Sequence, residues 1–333
     1  MKKLHKWLSL GAVSSLVFFL AACTSPAPEE SVAPTEEDKL QVVTTFYPMY
    51  DFTKQVAQEN ADVSVLVPSG TDTHGFEPSA KDVAQIQEAD VFVYNSAEME
   101  TWVPSILESI DTTALIIVNA SEGIELLEGS HSDEEEHDHE HEDDHDHEGE
   151  DDHAHEEHSH EVDPHIWLDP VLAQEEVMNI KEGLVEANPE NEAAYTENAE
   201  AFQTELQQLD EEYAAAFENA ENRTFVTQHA AFAYLAERYD LHQVAISGLS
   251  TDAEPSPSEL TEMTNFINAQ NVEYIYFGKT TSSAISETLA NETDTQLAVL
   301  DPIEGITQAD QEAGIDYLQA MRNNLDALKL SIQ

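Results

Sequence analysis

Short apolar runs alternate with helix-like patterns through the first half of the chain. Four of these runs read as β-strands: residues 41–46, 63–67, 91–94 and 115–118. Helical patterns occupy residues 50–60 and 79–89, and Ser79 is a suitable N-cap for the second of them. The last two strands are apolar without interruption, which is typical of strands buried on both faces of a parallel sheet.

The same alternation returns in the second half of the chain. Strands are predicted at residues 224–227, 242–246, 272–277 and 296–300. Helices are predicted at residues 231–239, 258–269 and 309–330. The sequence therefore predicts an α/β protein of two lobes, each a mostly parallel sheet covered by helices.

Between the two halves, apolar residues follow one stripe of a long helix. The stripe advances in steps of four and three residues, at Tyr195, Ala199, Phe202, Leu206, Leu209, Tyr213 and Ala216. A helix over residues 190–219 would be about 45 Å long at 1.5 Å per residue. A coiled coil is the alternative, but we interpret the helix as a rigid strut packed across both lobes. The predicted organisation is a first lobe at 40–170, connecting helices at 171–221 and a second lobe at 222–333.

The first 22 residues have the features of a secretory signal peptide. Three lysines precede an apolar stretch, residues 8–20, that is too short to span a bilayer as a mature helix. The stretch leads into Leu-Ala-Ala-Cys, ending at Cys23, which resembles the lipobox of bacterial lipoproteins. Residues 23–39, rich in Pro, Ser, Thr and Glu, are predicted to be a flexible tether. We therefore expect an extracytoplasmic protein anchored to the bacterial cell membrane by lipid on Cys23, with a non-lipidated signal or a buried cysteine as the alternative.

The charge balance narrows the classes of partner. The chain has 12 Lys and Arg against 69 Asp and Glu, and its formal net charge is −57. Nucleic acid is excluded as a partner because neutralising phosphates requires clustered basic residues. Charge attraction to an anionic membrane is excluded for the same reason, so contact with the membrane is expected through the lipid alone. The balance favours cationic ligands.

Residues 131–160 contain 10 His and 16 Asp and Glu, with no Lys or Arg. Such a segment has almost no apolar side chains for a core, so it is predicted to be a disordered loop inserted in the first lobe. Taking its 16 negative charges from the net charge of −57 leaves −41. We expect weak, multiple metal binding by imidazoles in a carboxylate-rich segment, at His137, His139, His141, His145, His147, His153, His155, His158 and His160. A charged loop that only improves solubility is the alternative.

Three further histidines stand in loops that follow strands or precede helices. His74 lies in Thr-His-Gly-Phe-Glu-Pro, His165 in Asp-Pro-His-Ile-Trp-Leu-Asp-Pro, and His229 in Gln-His-Ala-Ala-Phe. Loops at the carboxyl ends of strands are where open α/β sheets bind ligands. His242 begins a strand instead, and we interpret it as structural.

These segments resemble the metal-specific substrate-binding lipoproteins of ABC importers, the group that includes zinc and manganese receptors. The resemblance extends from about residue 40 to residue 330 and includes Phe-Tyr-Pro at 46–48 and Asp-Pro-Ile-Glu-Gly at 301–305. It implies two lobes joined by a rigid helix, with one metal ion in the cleft between them. It also implies delivery of that ion to an ABC permease in the cell membrane.

Within this group, zinc receptors have a histidine where manganese receptors have a glutamate, and this chain has His229. The resemblance implies Zn²⁺ as the transported ligand, held by His74, His165, His229 and a late carboxylate. Glu304 is the best match for that carboxylate, with Asp301 second and a water molecule third. Three imidazoles and one carboxylate also suit tetrahedral zinc, whereas Mn²⁺ prefers more oxygen ligands.

Other functions remain open at this stage. The first alternative is a receptor of the same group for manganese or iron, and another is a surface adhesin. A zinc hydrolase requires an open metal position and a general base, and none of the predicted helices carries a His-Glu-x-x-His motif. We therefore expect a monomeric receptor and no enzyme.

Overall fold

The computed structural model describes residues 39–129, 162–249 and 255–333. The predicted signal peptide, Cys23 and the tether as far as residue 38 lie outside the described residues, and so does the histidine-rich stretch at 131–160. Among the residues that the structure describes, no helix has both the length and the apolar character needed to cross a membrane.

The first lobe contains a parallel four-stranded sheet in the order β2-β1-β3-β4. Its strands are β1 (Leu40–Thr44), β2 (Ala61–Val65), β3 (Val91–Tyr94) and β4 (Ile116–Asn119). Three helices belong to this lobe: α1 (Tyr47–Ala57), α2 (Ala80–Glu88) and α3 (Val103–Ser109). The N-cap prediction holds, because Ser79 and Asp82 form a capping box at the start of α2.

The second lobe repeats this arrangement with the sheet order β6-β5-β7-β8. Its strands are β5 (Thr224–Thr227), β6 (His242–Ala245), β7 (Tyr274–Phe277) and β8 (Gln296–Val299). Its helices are α6 (Ala233–Arg238), α7 (Pro257–Gln270), α8 (Ala284–Thr293), α9 (Gln308–Ala313) and α10 (Tyr317–Leu328). The predicted fold class is confirmed, since each lobe is a parallel sheet covered by helices.

Two helices connect the lobes, α4 (Pro170–Ala187) and the long α5 (Glu192–Phe217). The predicted stripe is the buried face of α5, apart from Ala216, which is half-buried. Toward the first lobe, the ring of Phe202 lies 5.8 Å from that of Phe52 on α1. Toward the second lobe, the hydroxyl of Tyr213 donates to the carbonyl of Met321 on α10 at 2.6 Å. The long helix therefore packs across both lobes, as the strut interpretation requires.

The structure differs from the predicted elements at a few places. The helix predicted over 309–330 is two helices, because the chain turns at Gly314 with a φ of 69°, a conformation that glycine adopts at no steric cost. Asp316 then caps α10 through the amide of Gln319. Helices α3 and α8 were not predicted from the sequence. Helix α1 begins three residues before its predicted start, because Pro48 is compatible with the first turn of a helix.

Candidate metal centre

His74 is carried by the loop between β2 and α2. The carboxylate of Asp72 accepts the backbone N–H of His74 at 3.0 Å. The loop is also tied to the second lobe, because the hydroxyl of Thr73 donates to the carbonyl of Glu304 at 3.1 Å and the N–H of Gly70 donates to the carbonyl of Ile306. These contacts fix a loop that would otherwise be free to move.

His165 is fully buried in the segment that leads from the first sheet into α4. Its Nδ1 lies 2.8 Å from Oδ1 of Asp163, and the same oxygen accepts the backbone N–H of His165 at 2.9 Å. A carboxylate facing Nδ1 places the proton on that nitrogen and leaves the lone pair of Nε2 for a metal ion. Asp163 therefore orients His165.

His229 follows β5 in the second lobe. Its Nδ1 lies 3.0 Å from the carbonyl oxygen of Gly248, which again leaves Nε2 as the ligand atom. Its own carbonyl accepts from the hydroxyl of Thr227 at 2.8 Å and from the amide of Gln243 at 3.0 Å. The position of His229 is thus determined by the edge of the second sheet.

Glu304 lies in the loop between β8 and α9 and is 1% exposed. The indole N–H of Trp167, beside His165, donates to the carbonyl of Pro302 in this loop at 2.8 Å. The next residue, Ile303, has a φ of 58°, which costs a β-branched residue about 1–3 kcal/mol and persists only when surrounding contacts hold it. One such contact is its N–H bond to the carboxylate of Asp301.

The structure brings the four side chains together in one buried cluster, which we call the metal centre: His74, His165, His229 and Glu304. The Nε2 atom of His165 lies 3.3 Å from that of His74 and 3.2 Å from that of His229. Oε1 of Glu304 lies 3.4, 3.4 and 3.3 Å from the Nε2 atoms of His74, His165 and His229. Two ligands therefore come from each lobe.

These distances match the edges of a tetrahedron around a small cation. The edge of a regular tetrahedron is about 1.6 times the distance from centre to corner, so zinc bonds of about 2.0–2.1 Å separate ligand atoms by about 3.3–3.4 Å. Three imidazoles and a carboxylate are also a ligand set that zinc favours. The residues present therefore fit a four-coordinate zinc ion.

The electrostatics of the cluster favour a charged pair of carboxylate and imidazolium when no cation is present. Burial alone would raise the pKa of Glu304, but the imidazole of His74 and those of His165 and His229 hold it well below its usual range. Burial alone would lower the pKa of His165, but Asp163 and Glu304 raise it to about 9. Burial lowers the pKa of His229. A metal ion at this site takes the place of the proton on His165 as the charge facing Glu304.

The remaining candidates lie elsewhere. Asp301, the second choice for the carboxylate, bonds to the N–H of Ile303 and lies 3.9 Å from the ammonium of Lys279, outside the metal centre. His242 is exposed at the start of β6. The role of Asp163 was not predicted from the sequence, although an acidic residue two positions before a ligand histidine is a recognisable signal.

Comparison with known proteins gives the chain a family. The family model of the zinc-uptake complex component A, periplasmic, matches residues 42–330. The chain is 46% identical over 327 residues to the high-affinity zinc uptake system protein ZnuA of Bacillus subtilis (strain 168), and the match covers 98% of each chain. It is 44% identical over 324 residues to the zinc-binding lipoprotein AdcA of Streptococcus pneumoniae (strain R6), which covers 97% of this chain but only 60% of AdcA.

Solved structures agree with the sequence relatives. The Zn(II)-bound ZnuA-like domain of S. pneumoniae AdcA superposes with a TM-score of 0.72 at 41% identity, covering 88% of this chain and 99% of that domain. The laminin-binding protein Lmb of Streptococcus agalactiae, described as bifunctional with adhesin and metal-transporting activity, gives 0.74 at 35% identity, over 89% of this chain and all of Lmb. The chain therefore belongs to the family of the periplasmic zinc-uptake complex component A.

Proposed function

We propose that this chain is an extracytoplasmic zinc receptor that captures Zn²⁺ in the metal centre and delivers it to an ABC permease. The observation that carries the proposal is the set of distances between ligand atoms, 3.2–3.4 Å, which fit tetrahedral zinc. The names of the relatives, a zinc uptake protein and a zinc-binding lipoprotein, support the same cargo.

The donor set argues against manganese as the cargo. Mn²⁺ prefers more oxygen ligands and a higher coordination number than three imidazoles and one carboxylate provide. Three of the four residues are buried and only His74 is partly exposed, which restricts the room for extra water ligands. We infer that metal ions enter and leave beside His74.

The same geometry argues for a receptor rather than an enzyme. A catalytic zinc site keeps one position open for water or substrate. With His74, His165, His229 and Glu304 all bound, a tetrahedral ion has no open position. We therefore propose that the chain binds zinc without turnover.

The cellular location and the oligomeric state are proposed from the sequence and from the composition of the metal centre. We propose that a signal peptide at 1–22 is removed, that Cys23 carries the lipid anchor, and that the tether ends where the first lobe begins. The lipoprotein name of the S. pneumoniae relative supports the anchor. We propose a monomer with lobes at 40–170 and 222–333, joined by residues 171–221, because ligands from both lobes of one chain complete the metal centre.

The test compares His229→Ala with His242→Ala. The first substitution removes one of three imidazoles, whereas the second removes an exposed histidine outside the metal centre. Competition with a zinc chelator should show a loss of tight binding for His229→Ala alone. Equal losses from the two substitutions would contradict the ligand assignment.

A thermal measurement separates zinc from manganese. Zinc should raise the melting temperature of the purified mature chain, because a ligand that binds only the folded state stabilises it, by about 2.7 kcal/mol at 100 times the dissociation constant. Manganese at the same free concentration should raise it much less. A larger shift with manganese would favour the alternative cargo.

A further inference from the structure

The ligand His165 stands in the middle of a segment that the second lobe holds at both ends. We call residues 163–169 the His165 segment. At one end, the hydroxyl of Tyr234 donates to the carbonyl of Asp163 at 2.6 Å. At the other end, Nε of Arg238 donates to both carboxylate oxygens of Asp169, at 3.0 and 2.8 Å.

Both contacts come from one face of α6. Tyr234 and Arg238 are four residues apart, so their side chains lie on the same side of the helix. The hydroxyl of Tyr234 also accepts the N–H of Leu127 at 2.8 Å. It therefore acts as donor in one hydrogen bond and as acceptor in another. Asp163 and Asp169 are buried, and Tyr234 is 4% exposed. Buried hydrogen bonds of this kind are costly to lose.

The start of α6 is linked to His229, the histidine ligand of the second lobe. Gln243 on β6 accepts the N–H of Phe232, the residue before α6, at 3.1 Å. The amide of the same glutamine donates to the carbonyl of His229 at 3.0 Å. One short helix therefore links the backbone that carries His229 to the backbone that carries His165.

We propose that Tyr234 and Arg238 are positioning residues that set the separation of the His165 and His229 nitrogen atoms and so favour zinc over larger ions. This inference rests on the proposed function. The two Nε2 atoms are 3.2 Å apart, a spacing that suits bonds of about 2.0–2.1 Å to zinc. A larger ion requires the two histidines to move apart, and the contacts from α6 to both ends of the His165 segment oppose that movement.

Tyr234 acts through Asp163, whose backbone carbonyl and side-chain carboxylate make different contacts. Its carbonyl accepts from Tyr234, and its carboxylate orients the ring of His165. Removal of the Tyr234 hydroxyl leaves the ligands in place but frees the residue that aims one of them. Outer hydrogen-bond partners of metal ligands typically affect metal affinity by about 10–100-fold, and for this more remote contact we expect a loss of roughly tenfold.

The experiment compares Tyr234→Phe with Tyr239→Phe in the full mature chain. Tyr239 is 7% exposed, and its hydroxyl donates to Asp210 on α5 at 3.0 Å, with no hydrogen bond to the His165 segment in the described part of the chain. Both variants remove one hydroxyl from a buried tyrosine, with two hydrogen bonds at Tyr234 and one at Tyr239, so a purely structural effect should be of the same order in the two. Three quantities are measured for each variant. They are the zinc affinity, by chelator competition, the ratio of zinc to manganese affinity, and the visible spectrum of one equivalent of bound Co²⁺.

We expect Tyr234→Phe to weaken zinc binding by roughly tenfold and to lower the ratio of zinc affinity to manganese affinity. It should also alter the absorption bands of bound Co²⁺, which report the coordination geometry. Tyr239→Phe should leave all three unchanged. Arg238→Gln, which removes the contact at the other end of the segment, should change them in the same direction as Tyr234→Phe.

Wild-type values for Tyr234→Phe and Arg238→Gln, or equal losses in the two tyrosine variants, would overturn this inference while leaving the proposed function intact. A wild-type chain that lacks tight zinc binding would instead overturn the proposed function, and the inference with it.

Discussion

Two of the three imidazoles in the metal centre are oriented by a contact to Nδ1, the ring nitrogen that faces away from the metal centre. His229 uses a backbone carbonyl, that of Gly248, whereas His165 uses the carboxylate of Asp163. A carboxylate partner both fixes the ring and makes the ligand nitrogen more basic. At the scale of single residues, Asp163 is therefore the strongest determinant of the metal centre among the residues that do not face the ion.

Asp163→Asn should weaken zinc binding by about 10–100-fold, because asparagine keeps the shape but not the charge that supports His165. Chelator competition measures the change. The control is Asp326→Asn, which alters an exposed carboxylate that pairs with Lys329, and should have no effect. Unchanged affinity in Asp163→Asn would show that the charge of this residue is unimportant.

Glu176 is a buried carboxyl away from the metal centre. It lies on α4 with no exposed surface, and within the described part of the chain neither of its oxygens has a hydrogen-bond partner. Burial raises the pKa of Glu176 well above its usual range, and the nearby carboxyls of Glu100 and Asp169 add to the shift. Because the folded pKa exceeds the unfolded value of about 4.3, the folded state binds more protons and its stability falls as pH rises between the two values.

Glu176→Gln should therefore stabilise the zinc-free chain at pH 8, because glutamine folds without binding the proton that the buried carboxyl requires, and this requirement costs about 1.4 kcal/mol for each pH unit between the unfolded and folded pKa values. The gain should shrink as pH falls toward 5, where the glutamate is protonated with little penalty. Urea unfolding across this pH range gives both quantities. Glu175→Gln, at the exposed neighbouring position, should show no gain, and a similar gain there would contradict the role of burial.

At the scale of elements, α5 determines how the two lobes are held relative to each other. Its buried face contacts α1 of the first lobe through Phe202 and α10 of the second through Tyr213. Contacts to both lobes along a continuous helix favour small closing movements and local loop ordering over a wide hinge. The role of α5 is thus one of stability rather than of binding chemistry.

Leu206→Ala should lower the free energy of unfolding by about 2–5 kcal/mol, because it leaves a cavity at a fully buried position in the middle of α5. The zinc affinity of the folded chain should not change. Chemical unfolding and chelator competition on the same sample test both statements. Gln208→Ala, on the exposed face of α5, is the control and should be nearly neutral.

At the scale of the whole molecule, the described residues that flank the acidic histidine-rich stretch lie close to the metal centre. Glu128 and Val162 on either side of it pair in an antiparallel bridge. The N–H of Asp163 donates to the carbonyl of Leu127 at 2.9 Å. The chain therefore enters and leaves this stretch at neighbouring points, one residue away from the carboxylate that orients His165.

Deletion of residues 131–160 should leave the fold and one tight zinc equivalent intact, because the flanking residues are already paired. It should remove the weaker equivalents that the ten histidines provide. These should also weaken in the undeleted chain as pH falls through about 6.5, where imidazole becomes protonated. Zinc titrations of both chains at neutral and acidic pH check the prediction, and loss of the tight equivalent on deletion would place the stretch in the primary site.

The sequence by itself determined the alternation of strands and helices, the long helix, and the loops that carry His74 and His229 after strands and His165 before α4. These features depend on the periodicity of apolar residues and on local capping, which act between neighbours in the chain. The same local rules missed the break at Gly314, because the helical pattern continues on both sides of it.

Only the tertiary structure decided which side chains meet. It placed Glu304 rather than Asp301 beside the imidazoles, through the strained turn at Ile303 and the contact of Trp167 with Pro302. It also joined Tyr234 to Asp163, which is 71 residues earlier in the chain. Such contacts depend on how the two lobes pack against each other, and no periodicity within either sheet encodes that packing.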